Sequence, residues 1–219
     1  MRKFKKLYFA LGFVLAFILW TVLVCVVDVQ AVGVNRTNIG LASINTAING
    51  LIGSYLALYV VTDWLSVLPI CIAFGFGVLG LSQWLKRKSL LKVDKSLLVL
   101  GGFYLVVFVV YFLFENITVN YRPILIDGNL ESSYPSSTTM LVACIMPTSL
   151  MQFKRRIKNR LMSKVVSCAI ILFTLFMVVG RIISGVHWFS DIVGGIFISV
   201  GLVLFYDFTV NFFEVANRS

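Results

Sequence analysis

Charge is what this sequence has least of. Only 13% of its 219 residues are Asp, Glu, Lys or Arg, while 59% are hydrophobic and the mean hydropathy is +0.96. A soluble domain carries roughly twice that share of charge, so the composition excludes an ordinary water-soluble globule and reads as an integral membrane protein. Cysteine is sparse too. Cys25, Cys71, Cys144 and Cys168 each stand inside an apolar run, with no C-x-x-C spacing and no histidine cluster beside them. That excludes a disulfide framework and a cysteine-based metal site, and the four are expected to be small apolar packing residues. Histidine is nearly absent: His187 is the chain's one example. Repeats and low-complexity tracts are missing.

What is abundant is apolar sequence in lengths that cross a bilayer, which takes roughly 20 residues per helix. Such runs fall at 7–27, 64–85, 97–114, 137–153, 165–179 and 192–213, an expectation of an all-α fold with six transmembrane helices in one domain over 1–219. The fifth has a short apolar core and needs its flanks to span. The first follows the basic start MRKFKK with no small-residue cleavage signature after it, so it is expected to stay as a signal anchor. Segment 28–63 is too polar in its first half to span. Its stretch NIGLASINTAINGLIGSYLALYVV sets apolar residues at helical spacing among Ser, Thr and Asn. That fits an amphipathic helix on the outer face, or a connecting loop with some helix.

The net charge of +10 follows topology. With the N-terminus inside, the basic residues at 2–6, 86–95, 154–164 and 218 all face the cytoplasm, and only Arg36, Arg122 and Arg181 face out. Both termini are thus expected in the cytoplasm of a multi-pass plasma-membrane protein. The excess serves orientation and attraction to anionic headgroups, with nucleic acid not expected as a partner. Trp20, Trp64, Trp84 and Trp188 fall near expected span ends, as an aromatic belt does. A cation on the outer side runs against the sorting rule, and Arg122 and Arg181 flank span ends, so both call for a reason.

Three outer pieces carry polar chemistry in region 115–191. In GRIISGVHWFSD, His187 and Asp191 stand four apart, one helical turn from each other on one face. A carboxylate there accepts the Nδ1–H of a neutral imidazole and leaves the Nε2 lone pair free to attack. The plainer alternative is a histidine at a helix start beside a capping aspartate. Arg181, six residues earlier across Gly185, folds back towards the imidazole, and Arg122 comes from NYRP in another loop. Two guanidiniums near a neutral histidine suit a phosphoryl group. Pro135, Ser136, Ser137 and Thr138 read as a helix N-terminus with a hydroxyl cap, whose free amides and dipole favour an anion.

These residues resemble the type 2 phosphatidic acid phosphatase superfamily, integral-membrane lipid phosphatases related to vanadium haloperoxidases. Its third motif, S-R-x5-H-x3-D, is met by Arg181, His187 and Asp191, with Gly180 in the serine position. Its first, K-x6-R-P, is met by Arg122 and Pro123, with Glu115 where the lysine stands. Its second, P-S-x-H, is met by Pro135, Ser136 and Ser137, with Thr138 in place of the histidine that protonates the leaving group. The resemblance implies that His187 attacks phosphorus to form a phosphohistidine, that Asp191 orients it, and that Arg122, Arg181, Ser136, Ser137 and Thr138 hold the phosphate. It implies no metal and no cofactor. Arg36 is a candidate to replace the missing lysine.

The substitution at Thr138 suggests a substrate. General acid catalysis contributes roughly 10²–10⁴-fold. A lipid diphosphate leaves as a phosphate monoester whose second pKa is about 6 and needs little protonation, unlike an alkoxide. The expectation is a lipid diphosphatase at the outer leaflet, on a polyprenyl substrate such as undecaprenyl diphosphate. The alternative is a catalytically impaired member that binds phospholipid headgroups or another membrane protein. Oligomeric state is not legible in the sequence.

Overall fold

The computed structural model describes residues 4–216 and is all-helical, with no strand among the described residues. In chain order the helices are α1 (Lys5–Val26), α2 (Ala42–Ile52), α3 (Leu56–Leu65), α4 (Val67–Arg87), α5 (Lys95–Glu115), α6 (Ser137–Arg156), α7 (Arg160–Ile183) and α8 (Phe189–Ala216). The basic residues Arg2, Lys3 and Arg218 lie outside the described ones.

Among the described residues, five stretches are long and apolar enough to cross a membrane: α1, the rod formed by α3 and α4, α5, α7 and α8. The fifth expected span, short in its apolar core, is a full 24-residue helix because the turns at Arg160 and Ile183 extend it. The sixth expected crossing, α6, differs in kind. Its 20 residues include Thr138, Thr139, Thr148, Ser149 and Gln152, all buried. Packed among α4, α5, α7 and α8, it meets protein where the others meet lipid, so its polar groups are shielded from hydrocarbon. Thr148 Oγ1 donates to the Cys144 carbonyl at 2.8 Å, and Gln152 Nε2 donates to the Ser96 carbonyl at 3.0 Å.

Segment 28–63 divides. The amphipathic part is α2, and from Leu56 the chain is already in the apolar rod of α3 and α4. That rod breaks at Ser66 because Pro69 lacks the amide that a continuous helix would bond to Leu65. The break lets α3 lean on α7 while α4 packs against α5 and α6. α1 lies along α8, and aromatic side chains fill the core, Phe17, Phe103 and Tyr206 from helices and Tyr134 from the loop before α6.

Three of the four cysteines depart from expectation. Only Cys144 is buried; Cys25, Cys71 and Cys168 are exposed on the bundle's outer surface. Among apolar neighbours facing lipid, a small thiol has no need of a protein partner.

Charge sorts by end. Lys6 pairs with Asp207, joining the start of α1 to the end of α8, and Arg156 pairs with Asp94 at 2.8 Å, joining the end of α6 to the start of α5. The basic clusters therefore gather at one end of the bundle. The loops before α3, between α5 and α6, and between α7 and α8 gather at the other.

Candidate active site

The loop between α5 and α6 is built on Asp127–Gly128, both with positive φ (48° and 78°), the Asp-Gly pair that closes a tight hairpin. Around it Ile126 pairs with Asn129 and Tyr121 with Ser132, and the Arg122 amide donates to the Glu131 carbonyl at 3.0 Å. The hairpin sets Arg122 opposite Glu131, and Arg122 Nε lies 3.0 Å from Glu131 Oε2. That N–H points off the carboxylate direction and is otherwise buried without a partner. The hairpin's return leads to Ser133, whose carbonyl reaches the site.

His187 follows a turn at Gly185 that only glycine fits: φ is +68°, and a Cβ there would sit 2.1 Å from the Gly53 carbonyl oxygen. The imidazole is buried. Its Nδ1 is 3.2 Å from the Ser133 carbonyl oxygen, which can only accept, so Nδ1 carries the proton. Nε2 faces Arg122 Nη1 at 3.3 Å. Burial foremost, with the positive charges of Arg122 and Arg181, pushes the His187 pKa down to about 4 against an upward pull from Asp191. The ring is neutral, with its Nε2 lone pair towards the arginine.

Asp191 is placed differently from the sequence expectation. Its carboxylate is 3.8 Å from Nδ1, beyond a hydrogen bond, and the direct partner is the Ser133 carbonyl. Asp191 Oδ2 instead accepts from the Trp188 amide at 2.9 Å and ties down the start of α8, while Oδ1 receives Asn120 Nδ2 and Ser190 Oγ, both at 3.4 Å. The geometry is that of the plainer alternative, an aspartate capping the helix start, with its carboxylate near the ring but not bonded to Nδ1. Trp188 is no belt residue either. It is buried, with Nε1 donating to the Tyr121 carbonyl at 2.6 Å, which clamps the hairpin to α8.

Arg181, near the end of α7, is almost wholly buried at 1% exposure. Its Nη2 donates to Thr138 Oγ1 and, at 2.9 Å, to Asp63 Oδ1 on α3, while Nε and Nη1 are buried with no partner. The ring of Tyr59, one turn before Asp63, lies 5.0 Å from the Arg181 guanidinium carbon and 6.0 Å from that of Arg122. The two guanidiniums therefore converge about one aromatic ring.

Helix α6 starts at Ser137 as the sequence predicts, but Ser136 makes no side-chain cap. Its amide donates to the Asp191 carbonyl at 3.1 Å, and its hydroxyl accepts from Thr139 Oγ1 at 3.0 Å. With no hydroxyl over them, the first-turn amides of α6 stay open to an anion. Ser137, Arg122, His187, Glu115 and Glu131 line one polar hollow of about 470 Å³. An apolar groove of about 510 Å³ between α4, α5 and α6, lined by residues such as Ile70, Val107 and Phe108, meets it at Tyr111, Ser137 and Met140.

The sequence-predicted residues Arg122, Ser136, Ser137, Thr138, Arg181, His187 and Asp191 thus come from two connections, α5–α6 and α7–α8 with the adjoining helix ends, to one end of the bundle. Arg36 stays apart: it is exposed on a turn after α1, and among the described residues no hydrogen bond or ion pair joins its guanidinium to the others. Tyr59, Asp63, Asn45 and Asn120 escaped sequence reasoning. Asn45, buried on α2, exchanges bonds with Ser190, with Nδ2 to Oγ at 2.9 Å and the Ser190 amide to Oδ1 at 3.0 Å. The Asp127–Gly128 pair was the readable signal for the hairpin; Tyr59 and Asp63 left none.

No curated protein matches the chain. Among solved structures, the first transmembrane PAP2 type phosphatidylglycerolphosphate phosphatase from Bacillus subtilis is similar, with a TM-score of 0.56, 22% identity, and 94% of this chain and 96% of that one covered. That likeness is one of fold. The sequence itself matches the PAP2 superfamily over residues 101–213, the stretch that holds the hairpin arginine, the α6 start and the His187 loop. The chain belongs to the PAP2 superfamily of membrane phosphatases.

Proposed function

We propose that this protein is an integral-membrane lipid phosphatase that works through a phosphohistidine and prefers a lipid diphosphate, polyprenyl in type, to a monophosphate. The observation that carries the reading is the Arg181 guanidinium, buried with Nε and Nη1 unpartnered, at the same end of the bundle as a neutral imidazole. Each buried donor left unmade costs about 1–3 kcal/mol. Phosphate oxygens offset that cost and match the guanidinium fork.

The phosphoryl group sits among Arg122, Arg181, Thr138 and the open amides of α6. His187 Nε2 attacks phosphorus, Nδ1–H stays donated to the Ser133 carbonyl, and the charge gained by the ring is met by Asp191 nearby. The leaving group departs towards the apolar groove, where the hydrocarbon lies between α4 and α5. Thr138 cannot protonate an alkoxide, so a phosphate monoester is the leaving group this site handles best. The basic end of the bundle faces the cytoplasm and the site faces outward.

The alternative, a headgroup-binding protein without turnover, draws on the same substitution at Thr138 and on the carboxylates already held by both arginines, Glu131 and Asp63. Phosphate release from matched lipid mono- and diphosphates separates the two. The diphosphate is expected to turn over on the order of 10²-fold faster, and His187→Ala is expected to abolish release. Faster turnover of the monophosphate overturns the substrate assignment, and no release from any lipid phosphate favours the binder.

A further inference from the structure

Thr138 cannot move a proton where the motif has a histidine, yet a carboxylate stands beside it. Asp63 Oδ1 and Thr138 Oγ1 accept from the same nitrogen, Arg181 Nη2. Asp63 Oδ2 has no hydrogen-bond partner among the described residues, and the side chain is 56% exposed, open to water. Its position is built into the packing. A Cβ on Gly180 would lie 2.8 Å from Thr62 Cγ2, so the glycine that replaces the motif serine lets α3 press against α7 next to Arg181. Tyr59, one turn earlier, faces both guanidiniums.

We propose that Asp63 is the general base that activates water to hydrolyse the phosphoenzyme, an inference that rests on the phosphohistidine reading above. A diphosphate leaving group needs little proton help, but breakdown of the intermediate needs a water that loses one. Attack at phosphorus runs in line with the departing group, so the water comes from the side away from the imidazole. His187 bonds to Arg122 and the Ser133 carbonyl and lies beside Asp191. The cluster of Arg181, Thr138 and Asp63 makes no bond to the ring, and the proposal sets it on that other side. In the step, the water oxygen forms a bond to phosphorus and its proton goes to Asp63 Oδ2. The P–Nε2 bond breaks with its electron pair returning to Nε2, which restores the neutral imidazole with Nδ1–H in place. Inorganic phosphate then carries the proton away and leaves Asp63 ionised.

The test is Asp63→Asn in the full-length protein, reconstituted in detergent micelles with a lipid diphosphate labelled in its terminal phosphate. The amide oxygen of asparagine still accepts from Arg181, so the guanidinium stays positioned while the base is lost. The expected result is a fall in kcat on the order of 10²-fold, with accumulation of acid-labile labelled protein that His187→Ala abolishes, and partial recovery in Asp63→Glu. A purely structural role for Asp63 gives slower turnover with no labelled intermediate and overturns the proposal. Unchanged kcat with a lower KM overturns it too, and makes Asp63 a competitor of phosphate for Arg181. If Asp63→Asn matches the wild type while His187→Ala is dead, the phosphohistidine reading stands and the base assignment fails. If the wild type releases no phosphate, both fail.

Discussion

His187 is the chain's one imidazole, so its protonation is open to direct observation. Burial, helped by two guanidiniums, holds its pKa at about 4, below the usual 6.5. The sign follows. The unfolded chain takes up a proton as pH falls through 6.5, while the folded ring stays neutral until about 4, so acidification across that window favours unfolding, by on the order of 3 kcal/mol in full. Imidazole resonances of the protein in micelles are expected to titrate with a midpoint near 4, and thermal stability is expected to fall between pH 6.5 and 4. A midpoint at the ordinary value would mean that the ring is solvated and the site open. Bound phosphate moves the midpoint up, since an anion favours the imidazolium. At this scale the sequence was a good guide wherever the chemistry is local. Arg181, His187 and Asp191 are bound by short covalent spacing and so were legible together. Asp63 reaches Arg181 across 118 positions, and no pattern near either residue announces it.

Helices α3 and α7 show what a motif substitution costs and supplies. The serine of the third motif is Gly180 here, and the space is taken by the Thr62 methyl. Thr62 cannot easily yield: it is β-branched and its hydroxyl bonds back to the Leu58 carbonyl at 2.9 Å. Gly180→Ser is therefore expected to overpack the interface, at about 1–3 kcal/mol, and to push Tyr59 and Asp63 away from the arginines. Thermal melting and lipid-phosphate turnover should both drop, and Thr62→Ala in the same chain should restore them. A Gly180→Ser protein with wild-type melting and turnover would show that α3 has slack against α7. Elements differ in how readable they are. α1, α5 and α8 declare themselves through apolar length because they face lipid, and α7 does so only with its flanks included. α6 met the length but is too polar to cross alone, since what it faces is protein. The outer segment before α4 misled at Leu56, where an amphipathic pattern gives way to the rod broken by Pro69, and a proline's effect depends on the helix direction around it.

The whole molecule is polarised along its axis, and the spacing of the basic residues along the sequence carries that polarity. Lys6–Asp207 and Arg156–Asp94 close the basic end, while the hairpin, α2 and the His187 loop close the other, so which end faces the cytoplasm decides which leaflet supplies the substrate. The basic end carries the clusters around 86–95 and 154–164, and loops so charged resist export across the membrane. Single cysteines test the orientation in a chain with its four native cysteines replaced. Asn129→Cys sits at the exposed tip of the hairpin, and Lys158→Cys is exposed between α6 and α7 at the opposite end. A membrane-impermeant maleimide added to intact cells is expected to label the first at once and the second only after the membrane is opened. The reverse pattern would turn the site towards the cytoplasm and move the substrate to the inner leaflet. The contacts of His187, Arg122 and Arg181 would be unaffected, because they are set within the bundle, whereas the lipid that can reach them is set by how the bundle sits in the bilayer.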